Sequence, residues 1–333
     1  MPERETPVVD RDLSREPSDA TLPIDAGLGV PIEVAEPVGA DEEGTVKKRL
    51  GWSAWLAAAW IALLVAACAL APVLPIPGPR ERVSGLALVG PFKDMAHPLG
   101  GDNLSHDMLS QLIYGARNSL FIGFGSIILG ILIGGFLGLV AGYYRGRLDS
   151  VIVGAMDVML SIPALVLALA LTIFLKDRVE GVVGSKETAG RYTLTLALGI
   201  IAIPTLARIT RANALVWSQR EFVTAARAQG ARNWRIMFRE VLPNVVPAMA
   251  AIALLGIAIV VIAEASISIL GAGIERPAPT WGNIIFGGVR FLTNQQAPFI
   301  VFESSFFIFT TVLSLNYLGD AVRARFDVRE GRL

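Results

Sequence analysis

Three carboxylates stand inside otherwise apolar runs: Asp157, Glu264 and Glu303. An ionisable group at membrane depth is costly, and it marks a proton relay, a gate or a buried pair. Asp157, about two turns into its run, can pair with a basic group near the inner face or line a pore. Glu264, near the outer end of its run, reads as a gate or as structural support, with pore lining as the alternative. Glu303 can simply reach the interface. His97, Asp102, His106 and Asp107 are the residue types of a metal site, but the chain has only two His. Their spacing is not a compact helical zinc pattern, so capping and packing of an outer segment is the expected role, and no metal is expected. Gly184-Ser185-Lys186-Glu187 imitates the end of a phosphate loop but lacks the upstream glycine and ends in Glu. ATP hydrolysis is therefore not expected of this chain, no acid/base or nucleophile set is evident, and no cofactor of its own is implied. The lone Cys68 excludes an internal disulfide and a cysteine metal cluster.

The elements that would hold these groups are membrane spans. Hydrophobic residues make up 53% of the 333 and charged residues 17%, against about 25% charged in soluble domains; mean hydropathy is +0.56. A helix needs roughly 20 apolar residues to cross the hydrocarbon core. Six runs qualify: 51–74, 118–144, 150–175, a fourth from Tyr192 to beyond Ala207, 241–270 and 297–319. The fourth is short before Arg208, so its helix is expected to continue with its arginines snorkelling. With the N-terminus inside, nineteen of the 29 Lys and Arg fall in inner segments, which favours both termini inside. In the second run Gly130, Gly134, Gly138 and Gly142 share one face, read as close helix packing or as a sliding seam.

Residues 1–46 carry twelve acidic residues against three Arg, a local net of −9, with no apolar period. They read as a disordered, solvated cytoplasmic tail ahead of a spanning domain at 47–333. No cleavable signal peptide is evident, because the first apolar run starts near residue 52 and is too long for a signal core.

The segment 217–243, between the fourth and fifth runs, is too charged to span. Glu221, Phe222, Val223, Thr224, Ala225, Ala226, Arg227, Ala228 and Gln229 favour helix, and Gly230 permits a left-handed cap. A second short helix is expected to end near Pro243. Arg232, Arg235 and Arg239 share a face. Ala225, Ala226 and Gly230 leave a flat patch where another protein can approach; a surface helix at the lipid headgroups is the alternative.

Ala225-Ala226-Arg-Ala-Gln-Gly230, followed by Leu242-Pro243-Asn244, resembles the EAA loop of ABC importer permeases. Three further stretches resemble the dipeptide/oligopeptide/nickel group of that family, on its C-type subunit. They are His97-Pro98-Leu99-Gly100 through Leu120, Glu264-Ala265-Ser266 through Gly282, and Leu318-Gly319-Asp320 with Arg323 and Asp327. The resemblance covers roughly 50–330. The family's Glu before the two alanines is Thr224 here, and 176–191 is longer and more charged than the family pattern. The resemblance implies an all-α polytopic bundle of six transmembrane helices with a cytoplasmic coupling helix, in a bacterial inner membrane. It implies a non-catalytic permease for short peptides, with nickel or another small solute as the alternative cargo. It also implies coupling to an ATPase through Glu221, Thr224, Ala225, Ala226, Arg227, Gly230, Leu242 and Pro243. The implied partners are a second homologous permease, two ATPase subunits or one fused ATPase that bind ATP and Mg, an extracytoplasmic binding protein and membrane lipid, with no nucleic acid. Two readings from other classes compete. A proton-coupled secondary transporter would use Asp157 and Glu264 as relays, and an intramembrane enzyme would need a catalytic constellation at depth.

Overall fold

The computed structural model describes residues 51–293 and 297–327. The acidic stretch 1–46 and the basic residues Lys47–Arg49, Arg329 and Arg332 lie outside them. Among the described residues the elements are helices, with one isolated antiparallel bridge between Gly101 and Asp107. The helices are α1 (Trp52–Leu70), α2 (Met108–Tyr144), α3 (Gly146–Leu160), α4 (Ala164–Val183), α5 (Lys186–Trp217), α6 (Glu221–Ala228), α7 (Asn233–Ile269), α8 (Trp281–Thr293) and α9 (Phe299–Asp327). Five of these are long and apolar enough to cross a membrane, and six spans result if α3 and α4 form one.

That third span departs from expectation. The run 150–175 is broken into two helices bent by 89°. The break falls at Pro163, which has φ −53° and ψ 123°. Proline disfavours helical backbone in the residue before it and brings no N–H of its own, so Ser161 and Ile162 leave the helix and α4 starts afresh. The second span is longer than predicted. It starts at Met108, where Asp107 caps it by accepting from the Ser110 backbone N–H at 2.7 Å. The fourth starts earlier, at Lys186, so most of 176–191 is helix: the end of α4, a left-handed Gly184 at φ +72° and the first turn of α5. As expected, α5 runs on past Arg208, as far as Trp217.

Lipid tails are as apolar as leucine, so spans associate through close fit and buried polar bonds. Both are visible. The glycine stripe of α2 lies against α5. A Cβ on Gly142 would meet the Arg211 carbonyl oxygen at 2.6 Å, and one on Gly130 would meet Leu206 at 2.7 Å. Gly134 and Gly138 face the carbonyls of Ile203 and Ala207 even more closely. α1 packs against α9, where Trp60 Nε1 donates to Thr311 Oγ1 at 3.2 Å and the Trp60 ring meets Phe307 at 5.7 Å.

Candidate functional site

Between α5 and α7 the chain turns twice and makes one short helix. In α6, Val223 is buried, and Phe222 packs against Trp217 with ring centroids 6.3 Å apart. Glu221, Thr224, Ala225, Arg227 and Ala228 are exposed. The helix ends by the rule its sequence suggests. Gly230 adopts φ +79°, its N–H donates to the Arg227 carbonyl at 2.9 Å, and the Ala231 N–H donates to the Ala226 carbonyl at 3.1 Å. Those two bonds make a Schellman cap, which satisfies carbonyls that the helix end would leave open. Nothing lies within 4 Å of a Cβ built on Gly230. Glycine is needed there for its backbone, not for space.

The anchored face of this segment is tied to the ends of the spans. Tyr143 at the end of α2 donates from its hydroxyl to Asn233 Oδ1 at 3.1 Å, and the Arg227 guanidinium stands 5.7 Å from the Tyr143 ring centroid. Arg145 donates to Ser218 Oγ at 3.2 Å. Ile236, Met237 and Val241 are fully buried, while Arg232, Arg235 and Arg239 are exposed together, as their spacing requires. The second short helix does not end at Pro243. It passes through a π-helical turn at Met237–Val241 directly into the fifth span. Pro243 removes one N–H and crowds the carbonyl four residues earlier; the wider π turn on that side relieves the crowding. Leu242 is half-buried and Pro243 is exposed.

Asp157 and Glu264 lie on different helices and have different partners, and Glu303 of α9 has its Oε2 buried. Asp157, on α3, accepts from Arg208 of α5 at 2.6 Å, and both side chains are more than half exposed. A stronger neighbour was not singled out in the sequence. Asp149, one turn into α3, takes Arg211 in a two-pronged pair at 2.5 and 2.6 Å. Its signal was the Arg208/Arg211 spacing on one helix and two aspartates, eight residues apart, on another. Glu264, on α7, is fully buried. Ser119 of α2 donates to it at 2.9 Å, Ser268 at 2.8 Å, and Thr280 also bonds to it. The adjacent Asn118 donates to the Pro279 carbonyl at 2.7 Å and Trp281 Nε1 donates to the Leu112 carbonyl at 3.1 Å. Glu264 thus ties α2, α7 and the start of α8 together. It lies about 45 Å along α7 from Asn233 at the helical rise.

The His and Asp of 97–107 are used locally. His97 Nδ1 meets Asp107 Oδ1 at 2.9 Å, and His106 Nδ1 meets Asp102 Oδ2 at 2.9 Å. Asp107 also caps α2, and no group of three such residues able to hold a metal is found among the described residues.

The relatives of this chain are membrane transport components. The family described as "Binding-protein-dependent transport system inner membrane component" matches residues 118–331. The glutathione transport system permease protein GsiD of Pectobacterium atrosepticum is 37% identical over 232 residues, covering 70% of this chain and 72% of that protein. The dipeptide transport system permease protein DppC of Alkalihalophilus pseudofirmus is 32% identical over 257 residues, covering 77% and 79%. In fold, the chain is similar to one from an inward-facing crystal form of the MetNI methionine ABC transporter. The TM-score is 0.53 at 22% identity, covering 66% of this chain and 97% of that one. With its spans and its family match both in place, the chain belongs to the inner membrane components of binding-protein-dependent transport systems, as a multi-pass permease of the ABC importer type.

Proposed function

We propose that this chain is one of two homologous permease subunits in an ATP-driven importer of short peptides. A binding protein outside the membrane delivers the di- or oligopeptide, and two ATPase subunits, or one fused ATPase, dock on 217–243 at the cytoplasmic face. Both chain ends then lie in the cytoplasm, in line with the Lys and Arg bias. ATP and Mg bind in the partners. Their closure moves α6, and the spans exchange inward and outward access. Support for the peptide cargo comes from relatives named for glutathione and dipeptides. Glu264, held by hydroxyls, suits structural support near the gate, and Asp157 suits a tie between α3 and α5.

The observation that carries the coupling reading is α6 itself. One face is fixed by Val223, its end is closed by Gly230, and its outer face shows Thr224 and Ala225 with no bulk. Ala225→Trp adds bulk to that face without entering the core. In liposomes holding the complete importer, ATP-driven uptake and ATPase association should both fall at least tenfold while the permease pair still assembles. Unchanged uptake and association would end the assignment.

A further inference from the structure

A cleft of about 500 Å³ opens at the opposite end of the bundle from α6. Its walls are the middle of α4, the start of α5, the end of α7, the 270–276 connection and the first turns of α8. The volume lies in the range of small-ligand sites. Three cations line it: Lys176, Lys186 and Arg276. Glu275 is the acid among the lining residues, and it is engaged by Lys176 at 2.6 Å. Glu187, next to Lys186, is taken by Arg80. Arg276 gives one hydrogen bond to the Asn283 carbonyl at 3.1 Å and stands 5.1 Å from the Phe286 ring centroid. Burial first, and the nearby Arg290 second, push its guanidinium below the ordinary value, with Asp102 opposing them. Lys186 also acts on Glu275, and Asp177 and Glu180 act on Lys176, but among the lining residues cations outnumber acids three to one, so an arriving anion would gain charge-assisted bonds.

A second observation points into the same cleft. Thr193 lines it and is 1% exposed, yet its Oγ1 has no hydrogen-bond partner. A buried hydroxyl left open in this way costs stability unless something fills it. A neighbouring groove of about 570 Å³, between α4, α5 and α7, has aliphatic walls such as Leu165, Ile201 and Ile259. An acyl chain suits that groove. The cleft, with hydroxyls and cations, suits a ligand that makes hydrogen bonds.

We propose that this cleft is an anion subsite of the import path, taking a carboxylate of an incoming peptide against Lys186 and Arg276, with Thr193 as its hydroxyl partner. The proposal rests on the peptide-import reading and sharpens it to peptides with acidic side chains. It also gives the long, charged 176–191 segment a role, since Lys176 and Lys186 both come from it.

The test uses the complete importer with its binding protein in liposomes, and measures uptake of alanyl-aspartate and of alanyl-asparagine. The binding protein is common to all samples, so a change in the uptake ratio reports on the permease. In Lys186→Gln/Arg276→Gln the preference for alanyl-aspartate should fall about tenfold, the size expected for a lost charge-assisted bond, while alanyl-asparagine uptake holds. Thr193→Val, which keeps the shape, should lower the ratio in the same direction by a smaller factor. An unchanged ratio, or an equal loss for both peptides, overturns the subsite. So does a ratio that stays constant while phospholipid bound to the purified protein is lost, which makes the cleft a lipid site. If the wild-type importer moves neither peptide, the peptide reading itself fails and the subsite fails with it.

Discussion

Glu264 shows what one buried group does in a membrane bundle. Removing its acceptor oxygens by Glu264→Ala strands the hydroxyls of Ser119, Ser268 and Thr280 and leaves a void. A loss of about 3 kcal/mol is expected, read as a lower unfolding midpoint in detergent. Glu264→Gln keeps one acceptor and should lose about 1 kcal/mol. Equal stability of Ala and wild type would mean the hydroxyls find other partners. Gly230 makes the opposite case. Gly230→Ala meets no atom within 4 Å, but it places a side chain at φ +79°. The expected cost is about 1 kcal/mol, confined to the end of α6, and it should appear as faster hydrogen exchange at Ala226–Ala231 with little change in global melting. The two sites also differ in how far they could be read. Gly230 was legible because a cap is set by a few neighbouring residues. Glu264 was visible as a charge out of place, but its partner Ser119 is 145 residues away, and no local pattern announces such a pairing.

Helices, taken one by one, were readable from composition, and their junctions were not all so. The six apolar runs, the packing glycines and the continuation of α5 beyond Arg208 follow from hydropathy and spacing. The break at Pro163 was also present in the sequence, as a proline inside a run otherwise interrupted only by Asp157, yet hydropathy alone passes over it. Pro243 misled in the other direction, because a π turn can carry a proline within a helix that a simple rule would end. Gly138→Leu tests the α2–α5 seam. Its Cβ would press on the Ala207 carbonyl and lie 2.9 Å from Thr210 Cβ, so a loss of about 3 kcal/mol and poor membrane accumulation are expected. Glu275 tests the junction of α4 with the 270–276 connection by acidity. The Lys176 ammonium donates to it and holds its carboxyl below the ordinary carboxylate value. Because the folded pKa is the lower one, the tie is complete above the unfolded pKa and is lost as pH falls through the folded value. A spin-label distance between Asp177 and Ala272 should widen over that acid window, and Glu275→Gln should abolish the change.

At the scale of the molecule, the orientation across the membrane is the proposition on which coupling depends. With Cys68→Ser as background, Ala225→Cys should react with a membrane-impermeant maleimide in inside-out vesicles and stay unlabelled in intact cells. Labelling from outside the cell would turn the bundle over. Family membership was legible from several short motifs taken together, some at connections between helices and one, Leu318-Gly319-Asp320, inside α9. Cargo was not, since no short motif in this sequence marks the side chains that a solute would meet. α7 carries a mechanical corollary. From Asn233 to Ile269 the chain stays helical through the π turn, Pro243 and Pro247, and 37 residues make a rod of about 55 Å. Pivoted at one end, such a rod turns a tilt of about 5° into a sweep of about 5 Å at the other. The cluster around Glu264 is then positioned to feel, amplified by leverage, any small push delivered beside Gly230.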